Sequence, residues 1–486
     1  MVKIRAIPAI TFDDVLLVPK KTSSLSRSDV DLSTQLTKKI RLKIPIISAN
    51  MDTVTEVKMA IALAQAGGIG IIHRFLTIEE QARQVNRVKR FENYKIDNPI
   101  TAPTSATFGQ LQEIMADNNI TSIIIVDKDS RLKGLVTARD WMFVKDTNIP
   151  ATKIMTPMSK LITALPTIKF KEAQVLLLKH KVEKLPLVDR DGKVKGLITA
   201  HDVRASLSDD KTVRDEKGRL LVGAAVGIKE EDIIRAGVLT EAGVDVIVID
   251  IAHGHSTHLI KALKKLKKNF PGVEVIAGNV ATYEGTRELV EAGADAIKVG
   301  IGPGSLCTTR VVAGAGIPQI TAVMDAVKAG KQKHVPIIAD GGIRYSGDVV
   351  KALASGASTV MIGSFFYGTR ESPAMTFYRH GKRYKLIRGM ASLTANNDRR
   401  KLDIITKNAL GGIRSPVEEY TAEGVEAIVP YSGAVADIIN QLIGGIRSGF
   451  SYSGADNIKE LWKKAEFVRI SHSALIESHP HDVSTM

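Results

Sequence analysis

A chain of 486 residues is too long for one small domain, and its single cysteine excludes a fold held together by intramolecular disulfides. Apolar residues make up 44% of the chain, but no uninterrupted apolar run reaches the roughly 18–20 residues that cross a bilayer, so we expect no membrane partner. The formal charge of +15 is dispersed, aromatic residues are only 5%, and the densest basic cluster, 261–268, is typical of a solvated helix face, which argues against nucleic acid as a partner.

The first residues carry no targeting signal. Met1-Val2-Lys3-Ile4-Arg5 has neither the apolar core nor the cleavage site of a secretory signal peptide. With only one cysteine in the sequence, this start predicts the reducing cytoplasm as the compartment.

Short apolar runs alternate with helical segments along most of the chain, and each run suits a strand that is buried on both faces. Most helical segments end in a small residue followed by glycine, which can supply a left-handed cap, as in Ala66-Gly67 and Ala242-Gly243. The α/β pattern predicts a (β/α)8 TIM barrel. The eight predicted strands are 45–50, 68–73, 220–227, 244–250, 273–279, 294–300, 335–342 and 358–364.

Polar residues follow the apolar part of five of these strands. Barrel enzymes build their sites from loops at the carboxyl ends of the strands, so this placement predicts the site. Each residue alone could be an ordinary turn residue, and this alternative stays open for Asp250 in particular. The five positions are Asp250, Asn279, the loop around Cys307, residues 340–342 and residues 363–364.

An inserted domain is predicted between the second and third strands, because about 145 residues separate them. The insertion contains an internal repeat: residues 132–140 return as residues 194–202, 62 positions later. We therefore divide the chain into a first part of the barrel at 1–92, an inserted domain at 93–207, and the remainder of the barrel at 208–486.

The loop at 299–310 carries the only cysteine. Three glycines around Pro303 let backbone N–H groups converge in a geometry that suits an anion such as phosphate, and Ser305 adds a hydroxyl. A lone cysteine is usually a small buried hydrophobe. Here hydroxyls and Arg310 flank Cys307, so we interpret it as a nucleophile held beside a phosphate.

The sequence Gly302-Pro303-Gly304-Ser305-Leu306-Cys307-Thr308-Thr309-Arg310 resembles the substrate loop of the IMP dehydrogenase and GMP reductase family, and the resemblance extends over essentially the whole chain. It implies that Cys307 attacks C2 of a purine nucleotide, that hydride leaves to NAD, and that water releases the product from a covalent thioimidate. The repeat of the insertion resembles a tandem pair of CBS motifs, which bind regulatory adenine or guanine nucleotides.

The resemblance assigns roles residue by residue. Thr309 matches a threonine that activates the hydrolytic water with a second base, for which Arg399 is the nearest candidate. Asp340 matches the ribose contact. The other implied contacts are Ser305, Gly342, Gly363 and Ser364 for the phosphate, Met390, Ala391 and Glu423 for the purine, and Asp250, Asn279, Gly300 and Gly302 for NAD.

The resemblance also implies a potassium ion and a homotetramer. Carbonyls of Gly302, Gly304 and Cys307 match the potassium loop, and Glu477, Ser478 and His479 of a neighbouring subunit match its remaining ligands. The histidines of that tail could instead suggest zinc, but their spacing is irregular and they lack a cysteine partner. In the insertion, Asp140 and Asp202 match the ribose-binding acids, although each could equally cap the helix that follows.

Three departures leave the direction of the reaction open. The dehydrogenase flap normally carries an Arg-Tyr pair, where this chain has Asp398-Arg399-Arg400, and Ile387 stands where a phosphate-binding tyrosine is usual. The string from Ala49 to Val54 is reductase-like, whereas Leu393 replaces the acidic residue of reductases. We favour a dehydrogenase that oxidises IMP, with a GMP reductase as the main alternative and a catalytically silent nucleotide sensor as a third.

Overall fold

The computed structural model describes residues 4–480, except for 24, 92–94, 98, 119, 143, 145, 201–202, 204–210 and 410–420. The chain forms two compact units. The first comprises Met1–Lys89, Lys211–Asp215 and Leu220–Met486, and the second comprises Arg90–Asp210 and Glu216–Arg219. Among the described residues, no helix is both long enough and apolar enough to span a membrane.

The first unit is built on a closed barrel of eight parallel strands, which confirms the predicted fold. Successive strands pair in chain order, and the barrel closes where the eighth strand pairs with the first, with Val360 opposite Ile46. The strands are β1 (Ile46–Ser48), β2 (Ile69–Ile72), β3 (Gly223–Val226), β4 (Val246–Asp250), β5 (Glu274–Val280), β6 (Ala296–Val299), β7 (Ile337–Asp340) and β8 (Thr359–Ile362).

Eight helices accompany the strands of the barrel. At the predicted Ala-Gly and Ser-Gly helix ends, Gly67, Gly243, Gly293 and Gly356 have φ angles of +99°, +89°, +101° and +103°, so glycine does supply a left-handed cap. The helices are α1 (Val57–Gln65), α2 (Ile78–Arg90), α3 (Glu230–Glu241), α4 (Thr257–Asn269), α5 (Tyr283–Glu291), α6 (Gln319–Lys331), α7 (Ser346–Ala354) and α8 (Val435–Tyr452).

Burial along the strands explains where polar residues collect. In β4 the first four residues are fully buried, and only the last one, Asp250, is partly exposed. In β7 the three residues before Asp340 are likewise buried. Apolar strand bodies therefore form the core, while the carboxyl ends of the strands present carboxylates to one end of the barrel.

Other elements of the first unit surround the barrel. Strand Val15–Leu17 pairs antiparallel with Phe467–Arg469, and Thr34–Gln35 pairs with Arg41–Leu42. Strands Thr376–Arg379, Lys382–Arg388 and Glu426–Pro430 form an antiparallel sheet. The remaining helices are Phe12–Asp14, Arg27–Asp29, Thr309–Val312, Ser364–Phe366, Leu393–Ala409, Ile458–Lys464 and His472–Glu477.

The second unit contains two antiparallel hairpins, one for each copy of the sequence repeat. Ser122–Val126 pairs with Leu132–Thr137, and Lys184–Val188 pairs with Val194–Thr199. Shorter strands, Lys95–Asp97, Thr101–Pro103 and Thr156–Pro157, extend the two sheets. The helices of this unit are Phe108–Asn118, Ala151–Ile154, Met158–Lys160 and Phe170–His180.

The two hairpin turns are built in the same way. Asp127 accepts hydrogen bonds from the backbone N–H groups of residues 129 and 131, and Asp189 accepts the equivalent bonds from residues 191 and 193. These bonds lower the pKa of both carboxyls. The CBS identity of this unit remains a prediction. Asp140 accepts from the N–H and the hydroxyl of Thr137, both at 2.7 Å, as in a local turn, and Asp202 lies outside the described residues.

Candidate active site

A cleft of about 380 Å³ opens at the carboxyl ends of the barrel strands. It is the place that the polar strand ends predict, and most of the predicted site residues line it. The predicted residues along its wall are Asp250, Asn279, Gly300, Gly302, Gly304, Cys307, Thr309, Asp340, Met390, Ala391, Arg399 and Glu423.

The cysteine loop leaves β6 in a conformation that requires glycine. Gly300 has φ +151°, and a Cβ there would stand 2.1 Å from the backbone oxygen of Asp340. Gly302 has φ +83°, and its Cβ would stand 2.5 Å from Cγ of Arg310. The positive φ of both glycines, the backbone next to Gly300 and the Arg310 side chain next to Gly302 therefore explain both glycines without a ligand. The Arg310 guanidinium donates to the carbonyl oxygens of Ile301 and Ile317, so it braces the loop.

The thiol of Cys307 begins a chain of hydrogen bonds. Its Sγ donates to Thr309 Oγ1 at 3.1 Å, and Thr309 Oγ1 donates to Glu423 Oε2 at 2.7 Å. Backbone pairing fixes this alignment, because the N–H of Thr308 donates to the Glu423 carbonyl at 2.9 Å. The resemblance implies that Glu423 faces the purine. In the structure its carboxylate accepts from Thr309, so it can take a proton that passes through the hydroxyl.

Lys298 is a residue of the candidate site that the sequence analysis misses. It is 2% exposed in β6, and its ammonium group donates to Asp250 Oδ1 and Asp340 Oδ2, each at 2.8 Å, and to Asn279 Oδ1. Asn279 also donates to Asp340 Oδ2 at 2.8 Å. One buried cation thus fixes three predicted site residues. The available signal was a lysine inside an otherwise apolar strand.

The charges of this cluster hold one another ionised. Burial works against the charged form of Lys298, but Asp250 and Asp340 outweigh it and raise the pKa of the ammonium group. Burial likewise opposes ionisation of Asp250, and the charge and hydrogen bond of Lys298 outweigh it and lower the pKa of that carboxyl. The cleft floor therefore carries a fixed pattern of one positive and two negative groups.

The four predicted phosphate contacts meet beside the cleft, although none is among its lining residues. A Cβ on Gly341, next to Gly342, would stand 3.1 Å from the backbone nitrogen of Gly304 in the cysteine loop. Ser364 Oγ donates to the Ile343 carbonyl at 2.8 Å and so joins the loops after β7 and β8. Ser305 is exposed, and its Oγ lies 3.5 Å from the hydroxyl of Tyr367. Three loops thus bring Ser305, Gly342, Gly363 and Ser364 together.

Comparison with known proteins shows the family of the chain. Residues 9–481 match the model of the IMP dehydrogenase / GMP reductase domain. The chain belongs to the IMP dehydrogenase / GMP reductase family. The inosine-5′-monophosphate dehydrogenase of Aquifex aeolicus is 52% identical, over 98% of this chain and 95% of that protein. The Nitrosopumilus maritimus protein of the same name is 48% identical, over 98% and 99%.

A solved family structure has the same fold over the whole chain. The structure of a GMP reductase variant from Trypanosoma brucei in complex with guanosine 5′-monophosphate superposes with a TM-score of 0.91. Its sequence is 39% identical, and the match covers 99% of each chain. The family thus includes both directions of purine redox chemistry among the relatives of this chain.

The predicted flap region begins as a helix in this family member. Residues Leu393–Ala409, which include the flap residues Asp398, Arg399 and Arg400 of the sequence analysis, are helical, and residues 410–420 lie outside the described part of the chain. Arg388 ties the helix to the barrel, because it donates to Asp52 at 2.6 Å and to Asp398 at 2.8 Å. This pairing lowers the pKa of Asp398. Arg399, the next residue, lines the cleft.

Neither Ile387 nor the tail residues 477–479 are among the residues that line the cleft in the described part of the chain. Ile387, at the position where the resemblance expects a tyrosine, is 1% exposed and packs in the core of the first unit. Glu477, Ser478 and His479 are not among the described residues that line this chain's cleft. The His479 ring instead lies 6.4 Å from the ring of Tyr345. Their predicted role requires a second copy of the chain.

Proposed function

We propose that this chain is an IMP dehydrogenase, which oxidises IMP to XMP with NAD through a thioimidate on Cys307. The observation that carries the proposal is the hydrogen-bonded series Cys307–Thr309–Glu423 in a cleft at the barrel mouth. It offers a nucleophile and, next to it, a path for removing a proton from water. The curated relatives named above, at about half identity over nearly the full length, favour the same reaction.

The first half-reaction uses the thiol. As its proton leaves, the Cys307 sulfur forms a bond to C2 of the hypoxanthine ring, and the C2–H bond then breaks with its electron pair. NAD, when bound, accepts that hydride. The remaining thioimidate holds the nucleotide on Cys307 until water enters the site. The thiolate is the competent nucleophile, so loss of the thiol proton belongs to this step.

The second half-reaction needs a base. Water attacks C2, its proton is removed, and the C2–S bond breaks to return the thiolate and release XMP. Thr309 is placed to receive a proton from such a water while it passes its own to Glu423, at 2.7 Å. Arg399, on the cleft wall, is the second candidate base. The overall reaction consumes IMP, NAD and water and yields XMP, reduced cofactor and a proton.

The remaining nucleotide contacts follow from the arrangement of the loops. Asp340 is held by Lys298 and Asn279 through one carboxylate oxygen, Oδ2, in an orientation suited to ribose hydroxyls. Met390 and Ala391, which also line the cleft, are the contacts for the purine. The group of Ser305, Gly342, Gly363 and Ser364 is the phosphate subsite.

The cleft also fits the cofactor. Asp250 and Asn279 offer a carboxylate and an amide at the ends of adjacent strands, as ribose and carboxamide groups require. Gly300 and Gly302 leave the neighbouring wall without side chains. Arg74 lines the same cleft, and its buried Nε–H has no hydrogen-bond partner among the described residues. An unpaired guanidinium donor suits a diphosphate, so these residues would hold NAD.

Potassium and the tetramer are part of the same proposal. The carbonyl oxygens of Gly302, Gly304 and Cys307 form a neutral donor set on one loop, which suits a weakly hydrated monovalent cation. The Gly304 carbonyl also accepts from the Cys307 N–H at 3.1 Å, so any cation there would bear directly on the position of the thiol. Glu477, Ser478 and His479 of a neighbouring subunit would complete the shell in a homotetramer. A purine nucleotide bound to the inserted unit would regulate turnover.

A GMP reductase is the second candidate. The solved structures of Trypanosoma brucei GMP reductase, at 39% and 37% identity, support it, as does the replacement of the flap Arg-Tyr pair by Arg399-Arg400. The deciding experiment incubates the purified chain with IMP and NAD, and separately with GMP and NADPH, with potassium present, while the absorbance of reduced cofactor is followed. The proposal expects formation of reduced cofactor with IMP. Consumption of NADPH with GMP and no reaction with IMP would assign the reductase instead.

A further inference from the structure

We propose that the hydroxyl of Tyr367 binds the 5′-phosphate of the purine nucleotide and positions the substrate for Cys307. The inference rests on the proposed nucleotide-binding function and adds a residue that neither the sequence analysis nor the comparisons assign. Tyr367 is 6% exposed, yet it lines the catalytic cleft.

The hydroxyl of Tyr367 lies among the predicted phosphate contacts. It is 3.5 Å from Ser305 Oγ, and a Cβ built on Gly363 would approach it to 3.1 Å. Its ring is brought there by the short helix Ser364–Phe366, which directly precedes it after β8. The loops after β6 and β8 therefore meet at this hydroxyl.

The contacts that the protein gives this hydroxyl are weak. A separation of 3.5 Å is at the long limit for an O–H···O hydrogen bond. The second contact is with Met51 Sδ at 3.7 Å, and a thioether sulfur is a poor acceptor. With only these two partners in the described part of the chain, the buried hydroxyl remains able to donate a strong hydrogen bond, and a phosphate oxygen would be a far better acceptor than either.

The protonation state suits a phosphate. Burial raises the pKa of Tyr367, so the phenol stays protonated and neutral at the pH at which a nucleotide phosphate is a dianion. A neutral donor adds a hydrogen bond without a repulsive charge.

The position of Tyr367 in the barrel favours a contact with the nucleotide phosphate over a contact with the cofactor. Tyr367 follows β8, whereas Asp250 and Asn279, the residues that fit NAD, belong to β4 and β5 on the other side of the closed barrel. Ser305 and Gly363, its neighbours, are both in the predicted phosphate subsite. A contact with ribose is the nearest alternative, because Asp340 lies close enough to act on the same phenol.

The test compares Tyr367→Phe with the parent chain and with Tyr378→Phe, a matched control on a strand where the tyrosine is 73% exposed. Affinities for IMP and for inosine, which lacks the phosphate, are measured by calorimetry without NAD. We expect Tyr367→Phe to weaken IMP binding about tenfold to a hundredfold, the range for one hydrogen bond to a charged group, and to change inosine binding by less than about twofold. The KM for IMP should rise by a similar factor, because the phosphate contact contributes to substrate binding.

Several results would overturn the inference. Equal losses for IMP and inosine would assign the hydroxyl to ribose, and unchanged IMP affinity would remove the contact altogether. A melting temperature lowered by more than about 3 °C together with loss of both affinities would assign Tyr367 a structural role. A parent chain that binds neither IMP nor GMP would instead contradict the proposed function itself.

Discussion

Thr309 Oγ1 donates to Glu423 Oε2 at 2.7 Å, although 114 residues of chain separate the two. The same hydroxyl accepts the thiol of Cys307 at 3.1 Å. The strand-like pairing of residue 308 with residue 423, and of residue 306 with residue 425, holds the contact in place. The proposed proton relay for hydrolysis would therefore lie in the wall that also carries Cys307.

This relation predicts the effect of removing either partner. Thr309→Val and Glu423→Gln should each lower the steady-state rate by about 10²- to 10⁴-fold, the range for general-base catalysis. The double variant should be at most about threefold slower than the slower of the two single variants, because the two groups act as one relay. The rates are measured by absorbance of reduced cofactor at saturating IMP and NAD.

The chain contains a matched control for this relay. Thr394 and Glu426 form a second threonine–glutamate pair, in which Thr394 Oγ1 donates to Glu426 Oε1 at 2.7 Å. Neither residue is among the described residues that line the cleft. Glu426→Gln should keep the steady-state rate within about threefold. If Glu426→Gln were as slow as Glu423→Gln, the loss would reflect general disturbance of this wall and the relay would be wrong.

Removal of the nucleophile separates binding from chemistry. Cys307→Ala should abolish turnover and leave the affinity for IMP within about tenfold, since ribose and phosphate contacts belong to other residues. Calorimetry gives the affinity, and the absorbance assay gives the turnover. Substantial residual turnover in this variant would exclude the covalent mechanism.

The buried cluster around Lys298 predicts a large effect on stability. Lys298→Met leaves Asp250 and Asp340 without their shared cation, and removing one partner of a buried ion pair costs about 3–5 kcal/mol. The unfolding free energy is measured by denaturant titration. Lys328→Met is the control, because that lysine is 69% exposed and 4.0 Å from Asp325, so it should change the unfolding free energy by less than about 0.5 kcal/mol. Equal losses in the two variants would contradict the account.

The same cluster sets the pH dependence of stability. The pKa of Asp250 is lowered in the folded state, so its contribution is complete above about pH 4 and is lost as the pH falls through the folded pKa. The pKa of Lys298 is raised, so its contribution is complete below about pH 10 and is lost as the pH rises through the folded value. Asp250→Asn should therefore show a shallower loss of unfolding free energy below about pH 4 than the parent. An identical slope would contradict this assignment.

Most of the barrel follows from local pattern, because a strand buried on both faces needs an unbroken apolar run and each run is visible in the sequence. All eight predicted strands are present, with observed bounds inside or close to the predicted ones. Positions such as Asp250 and Asp340 follow from the same pattern, since they end their strands. The cysteine loop is recognisable from its glycines and its single thiol.

The parts that the sequence does not show depend on tertiary contacts. Lys298 lies in an apolar strand, where nothing local reveals that two carboxylates, one at the end of β4 and one at the end of β7, neutralise it. The first two turns of the helix Leu393–Ala409 contain two asparagines and an aspartate, which are poor helix formers, and Arg388 ties the helix to the barrel. The pairing of Glu423 with Thr309 joins positions that no local pattern relates.

The inserted unit should be removable. Deletion of 93–207 should leave a folded and active barrel, because the insertion enters and leaves through one barrel connection and has its own clusters of buried residues. The junction must keep Lys89, which precedes the insertion, and Asp215, which follows it. Lys89 donates to Asp215 at 3.0 Å and to Asp245 at 2.6 Å.

The deletion is tested by circular dichroism and by the absorbance assay, with Lys89 and Asp215 retained. In this background Lys89→Met should lower the melting temperature clearly, because it leaves Asp245 buried without its cation. A deletion protein that stays insoluble or inactive with several linker lengths would show that the barrel depends on the insertion.

Rapid mixing of Arg399→Ala with IMP and NAD tests whether IMP is oxidised while covalently bound to Cys307. We predict a burst of reduced cofactor about equal to the enzyme concentration, followed by a steady rate slower than the parent's by about 10²-fold or more, since Arg399, on the cleft wall, is the second candidate base for hydrolysis and takes no part in hydride transfer. Acid quenching during the steady phase should give a protein whose mass is increased by the nucleotide at Cys307. No burst and no adduct with IMP and NAD, together with deamination of GMP by the parent chain, would contradict the account.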